Sequence, residues 1–283
     1  MPTLSLLRLI FTELWARGSG LRVPEPVQAM EDEAQTRAFA EVASGQSELA
    51  ASHLFHAIHI TRTIRGCGKV YDLACGPGRA LGRVAELNPH IHFVGVDLSD
   101  NMLKLAWEHV QEKGLKNVQF LKSDITELKE IESGSADGVI STMALHHLPT
   151  CEHLGRLFRQ IERILKPEGS VFLVDFLRLK TEKSIELLLA RQKGMLPEVF
   201  EKDYVNSLRA AFSLQDFTTL TAENLPRAKV VSSFPLRLMV MVKTASGPLS
   251  AESRALVEAR VRAQSALERK AFRDLQMIFF GRI

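Results

Sequence analysis

The sequence predicts a doubly wound α/β fold with a mostly parallel sheet, and three observations carry that expectation. Between residues 69 and 176, five apolar, β-rich runs alternate with helix-like stretches. Strands apolar on both faces belong in a parallel sheet covered by helices on each side. The first run ends in a glycine turn, Cys75-Gly76-Pro77-Gly78, and the second ends in an acid, Asp97. Both features fall at the carboxyl ends of strands, where doubly wound sheets bind ligands.

Taken in order, the N-terminal run Leu4–Trp15 is apolar but interrupted by Arg8 and Glu13. It falls short of the roughly 20 residues a membrane span needs. It lacks the basic start and small-residue cleavage site of a signal peptide. An amphipathic helix packed on the core is expected over one lying on a membrane surface, in a cytoplasmic protein. Residues 1–65 read as a helical N-terminal cap with a Pro- and acid-rich joint around Val23–Glu33. Residues 66–245 read as the core. Its expected strands are Lys69–Cys75, His92–Asp97, Val118–Asp124, Asp137–Thr142 and Ser170–Phe176, and its helices are Ala80–Leu87, Asp100–Lys113 and Glu152–Leu165. Lys166-Pro167-Glu168-Gly169 reads as the turn after the last helix, since Pro167 cannot continue it and Gly169 readily turns. A helical insertion at about 181–225 precedes two late strands, Lys229–Ser232 and Leu236–Thr244, the second antiparallel. They bring the sheet to seven strands. Residues 246–283 form a helical tail, either packed on its own chain or forming a homodimer.

Composition narrows the chemistry. The hydrophobic fraction of 46% and charged fraction of 24% are those of a globular protein, neither disordered nor collagen-like. With 36 basic and 33 acidic residues, the charge of +3 does not by itself indicate a nucleic-acid partner. The three cysteines, Cys67, Cys75 and Cys151, have no metal-ligand spacing and read as reduced intracellular thiols.

Glycines at a strand-to-helix turn let a ligand approach the backbone, and an acid 19 residues beyond Gly78 can accept hydrogen bonds from ribose hydroxyls. A dinucleotide fits poorly. A third glycine is wanted at position 81, which is Leu81, and Asp72 beside the loop would repel a pyrophosphate. A nucleoside carrying sulfonium and ammonium groups would be attracted by that acid.

The chain resembles the class I S-adenosylmethionine-dependent methyltransferases, in the group of ubiquinone- and menaquinone-pathway and small-molecule enzymes. The matching motifs are VYDLACGPG (Val70–Gly78), VGVDLSDNML (Val94–Leu103), Ser123–Ile125, ADGVISTMALHHL (Ala136–Leu148) and RILKPEGSVFLVDF (Arg163–Phe176), in the family's order. Ala74 stands where the family usually has glycine. The resemblance implies S-adenosyl-L-methionine as cofactor and S-adenosyl-L-homocysteine as product. Asp72 would face the methionine ammonium, and Ala74, Gly76 and Gly78 would line the methionine moiety. Asp97 would hold the ribose, Leu98 and Met102 would wall the adenine, Asp124 and the Ile125 backbone would read its edge, and Met143 would complete the cofactor site.

The methyl carbon of that cofactor is already activated, so the protein must position the acceptor and exclude water. His146 and His147, after the fourth strand, are candidates for a base or an orienting group, with His146 preferred. Among His53, His56 and His59, packed or solvated rings are expected first, with His56 a candidate for the mouth of the site, and no metal is expected. Tyr204, Asn206 and Arg209 in the insertion are candidates for acceptor recognition. Leu187, Leu188, Leu189, Phe200 and Phe212 hint at a partly hydrophobic acceptor. The stretch Ser141-Thr142-Met143-Ala144 lacks the Asn/Asp-Pro-Pro-aromatic turn of enzymes that methylate base amines. No cysteine is placed for cytosine C5 chemistry. A small organic acceptor is expected. An RNA or protein acceptor, which tail arginines such as Arg254, Arg260, Arg262, Arg269 and Arg273 would suit, and a non-catalytic nucleoside-binding scaffold are the alternatives.

Overall fold

The computed structural model describes residues 4–18, 20–25, 48–192 and 198–279. Residues 26–33 of the expected Pro- and acid-rich joint and the Phe200 side chain lie outside the described residues. In chain order the elements are α1 (Leu4–Trp15), α2 (Glu48–Thr63), β1 (Lys69–Leu73), α3 (Arg79–Leu87), β2 (His92–Asp97), α4 (Asp100–Glu112) and β3 (Val118–Lys122). Next come β4 (Ala136–Thr142), a 3-10 turn (Leu145–His147), α5 (Cys151–Ile164), β5 (Leu165–Phe176), α6 (Glu182–Gln192) and α7 (Glu198–Ala210). The last are α8 (Leu214–Asn224), β6 (Lys229–Ser232), β7 (Met239–Lys243), α9 (Ala251–Arg262) and α10 (Ala266–Ile278).

The strands form one seven-stranded sheet in the order β3-β2-β1-β4-β5-β7-β6. The pairs from β3 through β5 are parallel, while β7 runs antiparallel to both β5 and β6. The two faces separate by alternation along each strand. Val70, Phe93, Phe172, Val174 and Met241 face α2 and α3, whereas Tyr71, Val94, Leu173 and Val242 face α5 and α8. This period of two explains the continuously apolar runs, since each residue lands in one of two cores.

Several boundaries differ from the sequence expectation. The bounds of β5 take in the expected turn Lys166–Gly169, which is a turn all the same. Leu165 pairs with Ala136 and Ser170 with Gly138, and a Cβ on Gly169 would lie 3.2 Å from the Leu165 Cβ, so the four residues between loop out as a bulge. β3 stops at Lys122, two residues before Asp124. The N-terminal segment also divides. α2 packs on α3 and is covered by α10, where Phe272 and Phe279 lie 5.8 Å from the Phe55 ring. Each such buried aromatic contributes about 1.5–3 kcal/mol. The tail therefore packs on its own chain. α1 instead joins α6, with Leu9, Ile185, Leu188 and Leu208 forming a third apolar cluster beside the end of β5. α1 is amphipathic as expected, yet Phe11, Leu14 and Trp15 on its outer side stay exposed. The insertion splits likewise, because α6 and α7 stay near that cluster while α8 docks on α5. Among the described residues, no helix is long and apolar enough to cross a membrane.

Candidate functional site

The glycine turn owes its shape to residues with left-handed backbones. Gly76 has φ +53° and Gly78 φ +70°. A Cβ on Gly76 would point into open space, leaving the backbone bare for a ligand, whereas one on Gly78 would lie 2.9 Å from the Ala106 Cβ. Gly78 is therefore a packing glycine that lets α3 start against α4. Ala74 also adopts a left-handed backbone, at φ 55°, as does Met143 at the end of β4, at φ 55°. Such positions cost non-glycine residues energy and cluster where a site imposes them.

Asp97 ties the turn together. One of its carboxylate oxygens accepts from the Gly76 amide at 2.8 Å and the other from the Ser99 amide at 3.0 Å. Burial still pushes its carboxyl above the ordinary range. Asp72 is 3% exposed, and its Oδ1 has no hydrogen-bond partner. Burial and then the neighbouring Asp97 push Asp72 up to about 8. Two adjacent acids, one with a buried oxygen left orphaned, form a site made for a cation. Leu98 is 45% exposed above this turn, while Met102 is buried beneath it. Asp124 is exposed and Ile125 partly so; Asp124 Oδ1 accepts from the Thr126 amide and hydroxyl at 2.7 and 2.8 Å. That is a local turn role, which leaves its other oxygen for an adenine edge.

Beyond β4 the two histidines part company. His146 is 3% exposed and doubly held by Asp175, its ring Nδ1 at 2.7 Å and its amide at 3.0 Å. Its ring lies 4.2 Å from that of His147 and 5.7 Å from Phe176, which in turn meets Tyr204 at 5.6 Å. His146 is thus buried against Asp175, whereas His147, its side chain 32% exposed, is the more accessible of the two rings.

His147 Nδ1 lies 2.5 Å from Glu25 Oε2, and Glu25 Oε1 accepts from Ser207 at 2.9 Å. Although burial opposes it, the Glu25 hydrogen bond and charge raise His147 above its ordinary value. His147 in turn holds Glu25 low against the opposite push of burial. The charge of His147 also acts on Asp97, to lower it. Ring nitrogens of His146 and His147 and an oxygen of Glu25 lie within 4.8 Å of one another. Two ligands of one tetrahedral ion sit about 3.3 Å apart, so the 2.5 Å contact is a hydrogen bond and not shared ligation.

The remaining candidates fall elsewhere. His56 is 1% exposed with neither ring nitrogen partnered, and burial pushes it down to about 3. It is a buried histidine that stays neutral at pH 7, in keeping with the packed reading. The Arg209 guanidinium is held by Glu182, 2.7 Å at its closest. Phe212 is buried in the core beneath α8 and packs edge-on to Phe217, apart from the α1–α6 cluster. Leu187 and Leu188 do belong to that third apolar cluster, and Leu189 is half-buried. Tyr204 lies near the histidines through Phe176, and Asn206 is half-buried on the same helix. Glu25, Asp175, Asp203 and Ser207 escaped the sequence reading. Asp175 had a signal, an acid in an otherwise apolar strand; Glu25 had none.

A family model described as a methyltransferase domain matches residues 66–224, more than half of the chain. The chain belongs to the methyltransferase domain family. A demethylmenaquinone methyltransferase of Lactococcus lactis is 29% identical over 168 residues, 57% of this chain and 61% of that enzyme. A tRNA (guanine-N(7)-)-methyltransferase of Desulfitobacterium hafniense is 40% identical over 60 residues, 21% of this chain and 28% of that enzyme. The chain thus spans less than two thirds of these relatives. Two solved structures share the fold: a SAM-dependent methyltransferase from Aquifex aeolicus (TM-score 0.53, 17% identity, 75% of this chain and 97% of that one) and an O-methyltransferase family protein from Burkholderia thailandensis (TM-score 0.55, 14% identity, 78% and 66%). The residues present fit the cofactor of this methyltransferase family, S-adenosyl-L-methionine. The orphaned Asp72 oxygen suits its ammonium, the bare Gly76 backbone its methionine chain, and the exposed Leu98 its adenine.

Proposed function

We propose that this chain transfers the methyl group of S-adenosyl-L-methionine to a small, partly hydrophobic organic acceptor, with His147 as the base. The cofactor supplies an activated methyl carbon on a sulfonium; the protein's part is to hold, orient and deprotonate. Asp72 and Asp97 bind from the ends of β1 and β2, and His147 takes the acceptor's proton on its outward side. Phe176, Tyr204 and the α1–α6 cluster supply an apolar wall that keeps water from the acceptor. The observation that carries this reading is the placement of His147 just after β4, part-exposed and paired to a buried carboxylate. The resemblance to demethylmenaquinone methyltransferase supports a small organic acceptor. Three of the tail arginines have partners of their own: Arg260 pairs with Glu86, Arg262 with Glu258, and Arg269 donates to the Gln264 carbonyl. That weighs against an RNA-binding tail.

The test begins with calorimetric titration of S-adenosylmethionine, S-adenosylhomocysteine and NADH, where the first two bind and NADH does not. Asp97→Ala weakens that binding by about 1–3 kcal/mol, as loss of a charged hydrogen-bond partner does. In a methyl-release screen of phenols, enols and amines, His147→Ala lowers turnover on the order of 100-fold with cofactor affinity retained. NADH binding alone would return the glycine turn to dehydrogenase chemistry, and wild-type turnover in His147→Ala would remove the base.

A further inference from the structure

We propose that residues 20–25 form a strap that belongs to the catalytic apparatus, with Glu25 as the positioning residue for His147 and Arg22 as the latch that keeps Glu25 there. The inference rests on the reading of His147 as base and assigns that base its partner. The strap crosses the end of the sheet far in sequence from everything it touches. Arg22 Nε donates to the Ala210 carbonyl at 2.6 Å, Nη1 to Pro149 at 2.5 Å, and Nη2 to Leu148 at 2.5 Å and His146 at 3.1 Å. Its guanidinium also lies 3.9 Å above the Phe212 ring. One planar fork thus satisfies four carbonyls, three of them in the turn that carries the histidines, a task its fixed geometry suits. Next to it, the Val23 amide donates to the Arg209 carbonyl at 3.0 Å.

Glu25 is then delivered with its side chain only 7% exposed. A buried carboxylate costs several kcal/mol unless its oxygens are taken, and here both are, by His147 and Ser207. A carboxylate on Nδ1 fixes the tautomer, leaving Nε2 with the lone pair that accepts a proton. Among the described residues, the charged and titratable groups around His147 include Glu25 and Arg22 from the strap, His146 from its own turn, Asp175 from β5, Asp203 from α7 and Asp97 from β2. Of these, Glu25 is hydrogen-bonded to the ring.

The experiment is a ring-nitrogen NMR titration of histidine-labelled full chain, which needs neither cofactor nor acceptor. In the wild type, His147 titrates above the ordinary 6.5 or so. Glu25→Gln, which keeps the shape and removes the charge, lowers that midpoint. Arg22→Ala and Arg22→Lys lower it too, because an ammonium cannot span four carbonyls, and the Val23 amide loses its hydrogen-exchange protection. Once an acceptor is in hand, Glu25→Gln lowers kcat and shifts the acid limb of its pH profile downward, with cofactor affinity unchanged. A His147 midpoint unmoved by Glu25→Gln overturns the positioning role, and one moved by Glu25→Gln but not by either Arg22 variant overturns the latch. A midpoint that shifts as expected while His147→Ala turns over normally overturns the base reading alone. Because Glu25→Gln is isosteric, the proposal stays testable if Arg22→Ala fails to fold.

Discussion

At the scale of single residues, the cofactor turn carries two kinds of stress that make measurable statements. Asp72, held at about 8, is mostly protonated at pH 7 in the free protein. An ammonium placed against it favours the charged form, so binding must expel a proton. Calorimetry at pH 7 in buffers of different ionisation enthalpy should show up to one proton released per S-adenosylhomocysteine bound, and Asp72→Asn should abolish the release. The other stress is conformational. Ala74 sits at φ 55°, where glycine is at ease. Ala74→Gly should stabilise the fold by about 0.5–1 kcal/mol, the left-handed penalty less the extra entropy of an unfolded glycine; a lowered denaturation midpoint would contradict this. Legibility at this scale followed contiguity. Asp72, Gly76 and Asp97 were readable because strand, turn and acid lie in short stretches whose spacing is itself the signal. His147 was readable as a candidate, but its rank over His146 depends on a 3-10 turn of three residues that no periodicity announces.

At the scale of elements, the close approach between α3 and α4 and the looped-out turn in β5 show what packing adds to pattern. Gly78 starts α3 with its Cα against Ala106 of α4, so a side chain there meets both a left-handed backbone and a neighbour at 2.9 Å. Gly78→Ala should cost about 1–3 kcal/mol in denaturant unfolding, whereas Gly76→Ala pays the backbone cost without a clash and shows its effect chiefly in cofactor affinity. The Lys166–Gly169 stretch has every local mark of a turn and forms one, looped out between the Leu165–Ala136 pair and the resumption of the strand at Ser170. What the sequence did not show is that Leu165, before the turn, already pairs in the sheet. The division of the N-terminal helices was hidden for a related reason. An apolar stripe tells that a helix packs, not which of two distant surfaces receives it.

At the scale of the whole molecule, the three histidines of α2 make the fold sensitive to acid. His53, His56 and His59 are pushed down to about 4, 3 and 3, first by burial and then by Arg83 and Arg79 for His53, by the two neighbouring histidines for His56, and by Arg62 and Lys243 for His59. A folded value below the unfolded one means that the unfolded chain binds more protons between about 6.5 and 3. Stability is therefore fully present above pH 6.5 and lost as the pH falls through that window. Thermal unfolding should show Tm falling between pH 7 and 5, and His56→Leu should blunt the fall; a flat profile would mean that these rings are hydrated. The doubly wound sheet, its strand number and the antiparallel last strand were all legible from alternation and order, because every layer is built from neighbouring segments. The strap was not, since its partners are held by single hydrogen bonds across more than a hundred residues. That separation has a consequence in time. Arg22 precedes its partner Ala210 by 188 residues, so at ribosomal rates of about 5–20 residues per second the strap is made about 10–40 s before it has anywhere to fasten. The cofactor turn can be in place while the chain is still being threaded out, but the base acquires its carboxylate only after the far side of the lid exists. A nascent chain would thus hold its methyl donor before gaining the means to spend it.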